Sequence, residues 1–167
     1  MAFENIRIRK LTLDELDLKQ ILEIENLSFN QVDAYNLTDF KRWYGYDPQL
    51  CIVAETKENA HVVGYMISRI LNNKLDVASL AVLPEFRQQG IGKALLEYSL
   101  KKARKAGVKL IELEVRKTNT NALKFWEKMG FVKLGEIPNF YEDGGDAYQM
   151  QKRLNKNYEI GLEKKFS

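Results

Sequence analysis

Three apolar runs follow one another at residues 50–54, 61–71 and 75–82, and at Gly90 the sequence changes to a helical period. No other feature narrows the possible folds as far. Glu58-Asn59 and Asn72-Asn73 separate the runs, which predicts consecutive antiparallel strands joined by polar turns. Pro84 stops the third run. Ile91, Ala94, Leu95 and Tyr98, spaced i, i+3, i+4 and i+7, then form the apolar face of a helix that ends at Gly107.

The flanking segments extend the pattern. Ile6, Ile8 and Leu11 among Arg7, Arg9 and Lys10 predict a half-buried first strand. A helix follows with Leu18, Ile21, Leu22 and Ile24 on its apolar face, and Thr12 with Glu15 forms a capping box at its start. After a polar stretch at 30–36, Phe40, Trp43 and Tyr44 predict a short second helix ended by Asp47-Pro48. Further on come a strand over 108–115, a helix marked by Ala122, Phe125, Trp126 and Met129, and a strand from Phe131. A final hairpin turns at 142–146. The architecture is α+β, a mixed, mostly antiparallel sheet of about seven strands with about four helices on its faces. A chain of 167 residues suits a single domain, placed at 1–154, with a basic C-terminal tail at 155–167.

Composition removes several function classes. A single cysteine, Cys51 in an apolar strand, permits no internal disulfide, and with one histidine, His61, no nitrogen-and-sulfur zinc cluster is expected. No apolar run approaches the roughly 20 residues of a membrane span, and no signal-peptide core opens the chain, so a cytoplasmic location is expected. The net charge of +3 is spread among interleaved lysines, arginines and carboxylates, which does not argue for nucleic acid. The segment from Lys152 to Lys165 is locally basic, and a solvated terminus outweighs a nucleic-acid or ribosome contact there.

The chemistry-bearing stretch is 80–94, where a strand runs through Arg87-Gln88-Gln89-Gly90-Ile91-Gly92-Lys93 into a helix. Free backbone N–H groups and the positive helix end converge on such a turn, making an anion site. Gly90 and Gly92 let a phosphate approach the main chain, while Arg87 and Lys93 add charge. The spacing fits neither a P-loop, which needs Gly at Arg87 and Ser or Thr at Ala94, nor a dinucleotide fingerprint, which needs a small residue at Leu95.

Arg87-x-x-Gly90-x-Gly92 after Leu80-Ala81-Val82 resembles the acetyl-CoA motif of the GNAT acetyltransferases. Leu113-Glu114-Val115-Arg116, Asn119, Ala122, Trp126 and Gly130-Phe131 resemble that family's second block. Residues 140–147 resemble the ending of N-terminal acetyltransferase subunits and RimI-type enzymes. The resemblance spans about 75–154 and is loose over the first 74 residues. It implies a GNAT fold and acetyl-CoA as donor, held by Leu80, Ala81, Val82, Arg87, Gln88, Gln89, Gly90, Ile91, Gly92 and Lys93. Asn119 would meet the pantetheine or thioester, Trp126 would pack against the cofactor, and a backbone N–H near Val82 would hold the oxyanion. One such donor is worth roughly 2.7–4 kcal/mol.

By the same resemblance Glu114 is the base and Tyr141 lines the acceptor groove, with Asp33 and Tyr35 near the acceptor's N-terminus. An α-amine, with a pKa of about 7.7–8.0 against roughly 10.4 for lysine, needs only a nearby carboxylate to lose its proton. Many relatives carry tyrosine at the position of Trp126, as a proposed acid for the CoA thiolate; indole has no titratable proton, so catalysis either proceeds without a dedicated acid or uses Tyr141. The implied acceptor is a protein or peptide N-terminus, with ribosome association left open and neither membrane nor specific nucleic acid involved. A small-molecule amine acetyltransferase and a non-catalytic acyl-CoA-binding module stay open as alternatives.

Overall fold

The computed structural model describes residues 2–154, which form seven strands and four α-helices besides short 3-10 turns. The strands are β1 (Ile6–Lys10), β2 (Cys51–Thr56), β3 (Val62–Leu71), β4 (Lys74–Val82), β5 (Leu110–Arg116), β6 (Val132–Ile137) and β7 (Ala147–Arg153). The helices are α1 (Glu15–Ser28), α2 (Leu37–Tyr46), α3 (Ile91–Lys105) and α4 (Thr120–Lys128). The expected tail at 155–167 lies outside the described residues.

One sheet of order β1-β2-β3-β4-β5-β7-β6 holds all seven strands, antiparallel except where β4 and β5 run parallel through the α3 crossover. Helices cover both its faces: Ser79 reaches Glu25 of α1, while its neighbour Leu80 lies against Gly92 of α3. Double coverage explains why residues 51–54 of β2 and most of β3 are continuously apolar and buried, whereas β5 alternates buried Leu113 and Val115 with half-buried Glu112, Glu114 and Arg116. Asn72 and Asn73 turn β3 into β4 with φ of 52° and 59°, a left-handed pair that asparagine tolerates.

The start of α1 differs from the expected box. Asp14 caps it by accepting from Asp17 N, and Thr12 instead donates its hydroxyl to the Asp17 carboxylate, because Asp17 is drawn inward by Arg9. Burial works against ionisation of Asp17 and of Glu55, but hydrogen bonds from Arg9 to both, and from Arg7 to Glu55, hold the two carboxyls below their ordinary range. This cluster pins β1 and β2 to α1. Asn36 and Asp39 form a capping box on α2, and Asn119 caps α4.

Two irregularities break the middle of the sheet. Val77 pairs with Ser68 and Ser79 with Ile67, so Ala78 is an extra residue bulged out of β4. The parallel pair β4·β5 is joined only at Lys74↔Leu110, Leu75↔Ile111 and Asp76↔Glu112, and beyond Asp76 the two strands separate like a fork.

Candidate functional site

The fork opens into a cleft of about 550 Å3. Val77, Ala78, Ser79 and Leu80 of β4 form one wall, Leu113, Glu114, Val115 and Arg116 of β5 the other, and Asn119, Ala122 and Trp126 of α4 close part of it. Its remaining lining comes from the connection after α1, with Phe29, Asp33 and Tyr35, and from the β6–β7 loop, with Phe140, Tyr141 and Glu142.

Strand alternation decides which main-chain groups face the gap. Leu83 N bonds Val63 O, so the N–H groups of Ala81 and Leu83 point to β3, and those of Leu80 and Val82 point to the open side. These two amides find no ladder partner on β5, whose pairing ended at Glu112. They are available to a ligand lying along β4.

The turn leading to α3 has free main-chain donors in the arrangement that suits an anion. Gln88 and Gly90 have φ of 60° and 85°, and α3 has no side-chain cap, unlike α1, α2 and α4. Because the first intrahelical bond runs from Ala94 N to Gly90 O, the Ile91, Gly92 and Lys93 amides have no helical acceptor and gather the positive end of the helix dipole. A diphosphate fits this donor set. The charged residues expected beside it behave differently: Arg87 turns away, its Nε on Val82 O at 2.8 Å and its Nη2 on Ser28 Oγ at 3.1 Å, so it ties the turn to α1. Lys93 is exposed, 4.0 Å from Glu97. Gln89 hydrogen-bonds Glu85 O at 3.3 Å, and Ile91 is buried, so both present main chain. Gly92 answers a packing demand: a methyl group there would sit 3.2 Å from Phe125 Cε2 of α4 and 3.5 Å from Leu80 Cδ2.

Asn119 spends its carbonyl oxygen on Ala122 N as the α4 cap and keeps its amide donor for the cleft it lines. Trp126 is buried edge-on between Phe125 and Phe131, both at 5.0 Å between centroids, and its ring also lines the cleft.

Glu114 is half-buried on the same strand face as Arg116, and no cation among the described residues pairs with it. Burial, followed by the nearby charges of Asp76 and Glu112, pushes its carboxyl upward. Burial and Asp33 push Tyr141 to about 12; burial and Glu25 push Tyr35 likewise to about 12. Asp33 is not a free carboxylate. Arg116 takes both its oxygens, bonds Asp143 as well, and stacks 4.2 Å from the Tyr141 ring centre.

Sequence reasoning missed several cleft carboxyls, Asp39, Asp76 and the deeply buried Glu25 among them. Glu25 is the one tied into the cleft wall by hydrogen bonds from two segments. It is 2% exposed, accepts from Tyr35 N at 2.9 Å and from Ser79 Oγ at 3.3 Å, and burial pushes it up to about 7. Its signal was present: Leu18, Ile21 and Glu25 share one helical face at i, i+3 and i+7, which sets a carboxylate in an apolar stripe.

Known proteins resemble this chain in sequence and in fold. The chain is 33% identical over 161 residues to the N-alpha-acetyltransferase of Saccharolobus solfataricus, with 88% of this chain and 92% of that protein covered. It is 31% identical over 84 residues to the [Ribosomal protein bS18]-alanine N-acetyltransferase of Escherichia coli, with 50% and 57% covered. Among solved structures, Ard1 from Thermoplasma volcanium superposes with a TM-score of 0.79 at 25% identity, over 91% of this chain and 99% of that one. The model of the acetyltransferase (GNAT) family matches residues 18–131, and with the forked sheet and uncapped α3 it places the chain in that family, as an enzyme whose donor is acetyl-CoA.

Proposed function

We propose that the enzyme acetylates the free α-amine at the N-terminus of proteins or peptides, by direct attack of the amine within a complex that holds donor and acceptor together. One observation carries this reading: the Leu80 and Val82 amides face the fork, and unpaired Glu114 lines the same fork, whose further walls are the Tyr35 and Tyr141 segments. A relative that covers 88% of the chain is named N-alpha-acetyltransferase.

Acetyl-CoA supplies the acetyl group as an activated thioester. The uncapped α3 amides and the turn at Gln88–Gly90 would hold its diphosphate, while Leu80 to Val82 and Trp126 would flank its arm. The Leu80 or Val82 N–H would hold the carbonyl oxygen as it gains negative charge, and the Asn119 amide would steady the thioester end. Glu114, raised by burial and by Asp76 and Glu112, would take the proton of the α-amine directly or through water.

Tyr141 holds its proton too firmly to be an efficient acid for a thiolate. Passing a proton from a phenol of pKa about 12 to a thiolate, whose thiol has a pKa of about 8.5, is uphill by several kcal/mol. In this reading its hydroxyl orients the acceptor and the departing sulfur by hydrogen bonding, and the thiolate leaves unassisted. Asp33 and Tyr35 shape the acceptor end, Asp33 through Arg116 and not through an ion pair to the amine.

Ribosome association belongs to the same proposal, supported by the E. coli relative named for a ribosomal protein. So does a cytoplasmic location; among the described residues no helix is long and apolar enough to cross a membrane. The test is a panel of peptides differing in the first residue, incubated with acetyl-CoA and read by mass spectrometry. Acetylation at the α-amine is expected. Turnover with small amines alone, or tight CoA binding without turnover, would replace this reading by one of its two rivals.

A further inference from the structure

Glu25 stands at a junction. Its carboxyl joins three segments: α1, which carries it; the connection after α1, through Tyr35 N; and β4, through the Ser79 hydroxyl. Ser79 directly follows the bulged Ala78 and directly precedes Leu80, whose N–H faces the fork. Its hydroxyl also meets Tyr65 OH at 3.0 Å, and Tyr65 is buried edge-on against Phe40, which in turn meets the Tyr35 ring edge-on at 6.0 Å. The loop of polar and aromatic contacts therefore closes on itself: Glu25, Ser79, Tyr65, Phe40, Tyr35 and back to Glu25.

We infer that Glu25 is a positioning residue that fixes the acceptor wall at Tyr35 against the donor strand at Ser79, and so sets the distance between amine and acyl carbon. It rests on the reading that the fork is the reaction site. A carboxyl buried to this extent costs desolvation, and a tie between two apolar side chains would hold α1 to β4 without that cost. What a carboxyl adds is direction: one oxygen fixes a backbone N–H of the acceptor connection and the other a hydroxyl beside the bulge. Displacements of about 1 Å in such a site can cost about 100-fold in rate.

Glutamine is the discriminating substitution. Its carbonyl can accept from Tyr35 N, and its amide can donate to Ser79 Oγ, whose hydroxyl then turns to Tyr65. Alanine keeps neither bond. The experiment compares wild type with Glu25→Gln, Glu25→Ala and Ser79→Ala, using acetyl-CoA with the best peptide acceptor, and measures kcat, both KM values and hydrogen exchange at the Tyr35 amide. Expected are a fall in kcat of about 10- to 100-fold in Glu25→Ala and a smaller fall in Ser79→Ala, each with the acetyl-CoA KM unchanged. Glu25→Gln should stay close to wild type, and exchange at Tyr35 should quicken only where the bond is lost. Ser79→Ala removes a single hydroxyl and covers the case in which Glu25→Ala does not fold.

A glutamine variant as impaired as the alanine one would overturn the inference and make the proton on Glu25 the important quantity. Wild-type kcat in both alanine variants would also overturn it. If wild type acetylates no peptide, the acceptor assignment fails by itself; the tie is then decided by exchange alone, and unchanged protection of Tyr35 in Glu25→Ala refutes it.

Discussion

Arg116 holds Asp33 in a fork of two hydrogen bonds, Nε to Oδ2 at 2.6 Å and Nη2 to Oδ1 at 2.5 Å, across 83 residues of sequence. The pair joins the end of β5 to the connection after α1, and Asp143 on the same Nη2 brings in the β6–β7 loop. Both segments proposed to receive the acceptor are thus clamped to one guanidinium. Lysine carries the charge but cannot form a fork. Arg116→Lys is expected to raise the peptide KM about 10-fold, the equivalent of one hydrogen bond to a charged group, with the acetyl-CoA KM unchanged. Steady-state kinetics with each substrate varied in turn will check it, and a matching rise in the acetyl-CoA KM would count against a role confined to the acceptor.

Glu114 is raised by burial and by Asp76 and Glu112, so the wild-type kcat/KM should climb with pH through a carboxyl pKa above the usual range. Glu114→Gln should lose that limb and about 100-fold in rate. The loss should be greatest between the pKa of Glu114 and that of the α-amine, about 7.7–8.0, and shrink above the latter, where the amine is already neutral. A profile superimposable on that of wild type would take Glu114 out of the mechanism.

At Gly90 the φ of 85° is the left-handed region, which costs a residue with a Cβ roughly 1–2 kcal/mol. Gly90→Val should therefore remain folded by circular dichroism yet lose measurable CoA binding, because its side chain crowds the turn whose amides would bind phosphate. Calorimetry showing retained affinity would contradict the phosphate assignment.

Glu25 predicts a stability trend. Its carboxyl rises from 4.5 to about 7 on folding, so between these values the folded protein binds the extra proton and stability falls as pH rises. The full drop is about 3 kcal/mol. Asp17 and Glu55 are lowered on folding; the stability they contribute is lost only as pH falls below about 4.5, outside this window. Urea unfolding at pH 5 and at pH 8 should show a smaller drop in Glu25→Gln than in wild type, the remainder coming from Glu114, which is also raised on folding. Parallel pH dependence in both proteins would mean that Glu25 is ionised throughout.

Element order was legible because period and punctuation agree: the asparagine turns, Pro84, Gly107 and Gly130 all bound the segments they were expected to bound. The anion turn was legible too, as a local arrangement of main chain written in Gly90. What escaped depends on partners far apart in sequence. Arg87 near a glycine turn reads as a phosphate ligand until Ser28 is seen beside it, and Asp33 reads as a free carboxylate until Arg116 arrives. The fork was hidden for a different reason: the apolar pattern of β4 continues past Asp76 although its pairing to β5 does not. Periodicity reports which face is buried and is silent about which edge is joined.

The three-pair junction between β4 and β5 gives the molecule a vertex and two arms. From Asp76 to Val82 an arm extends about 20 Å at roughly 3.3 Å per residue, so tilting one half-sheet by about 3° moves its tip by about 1 Å. A small change in the angle between the half-sheets is thereby enlarged at the rim of the cleft.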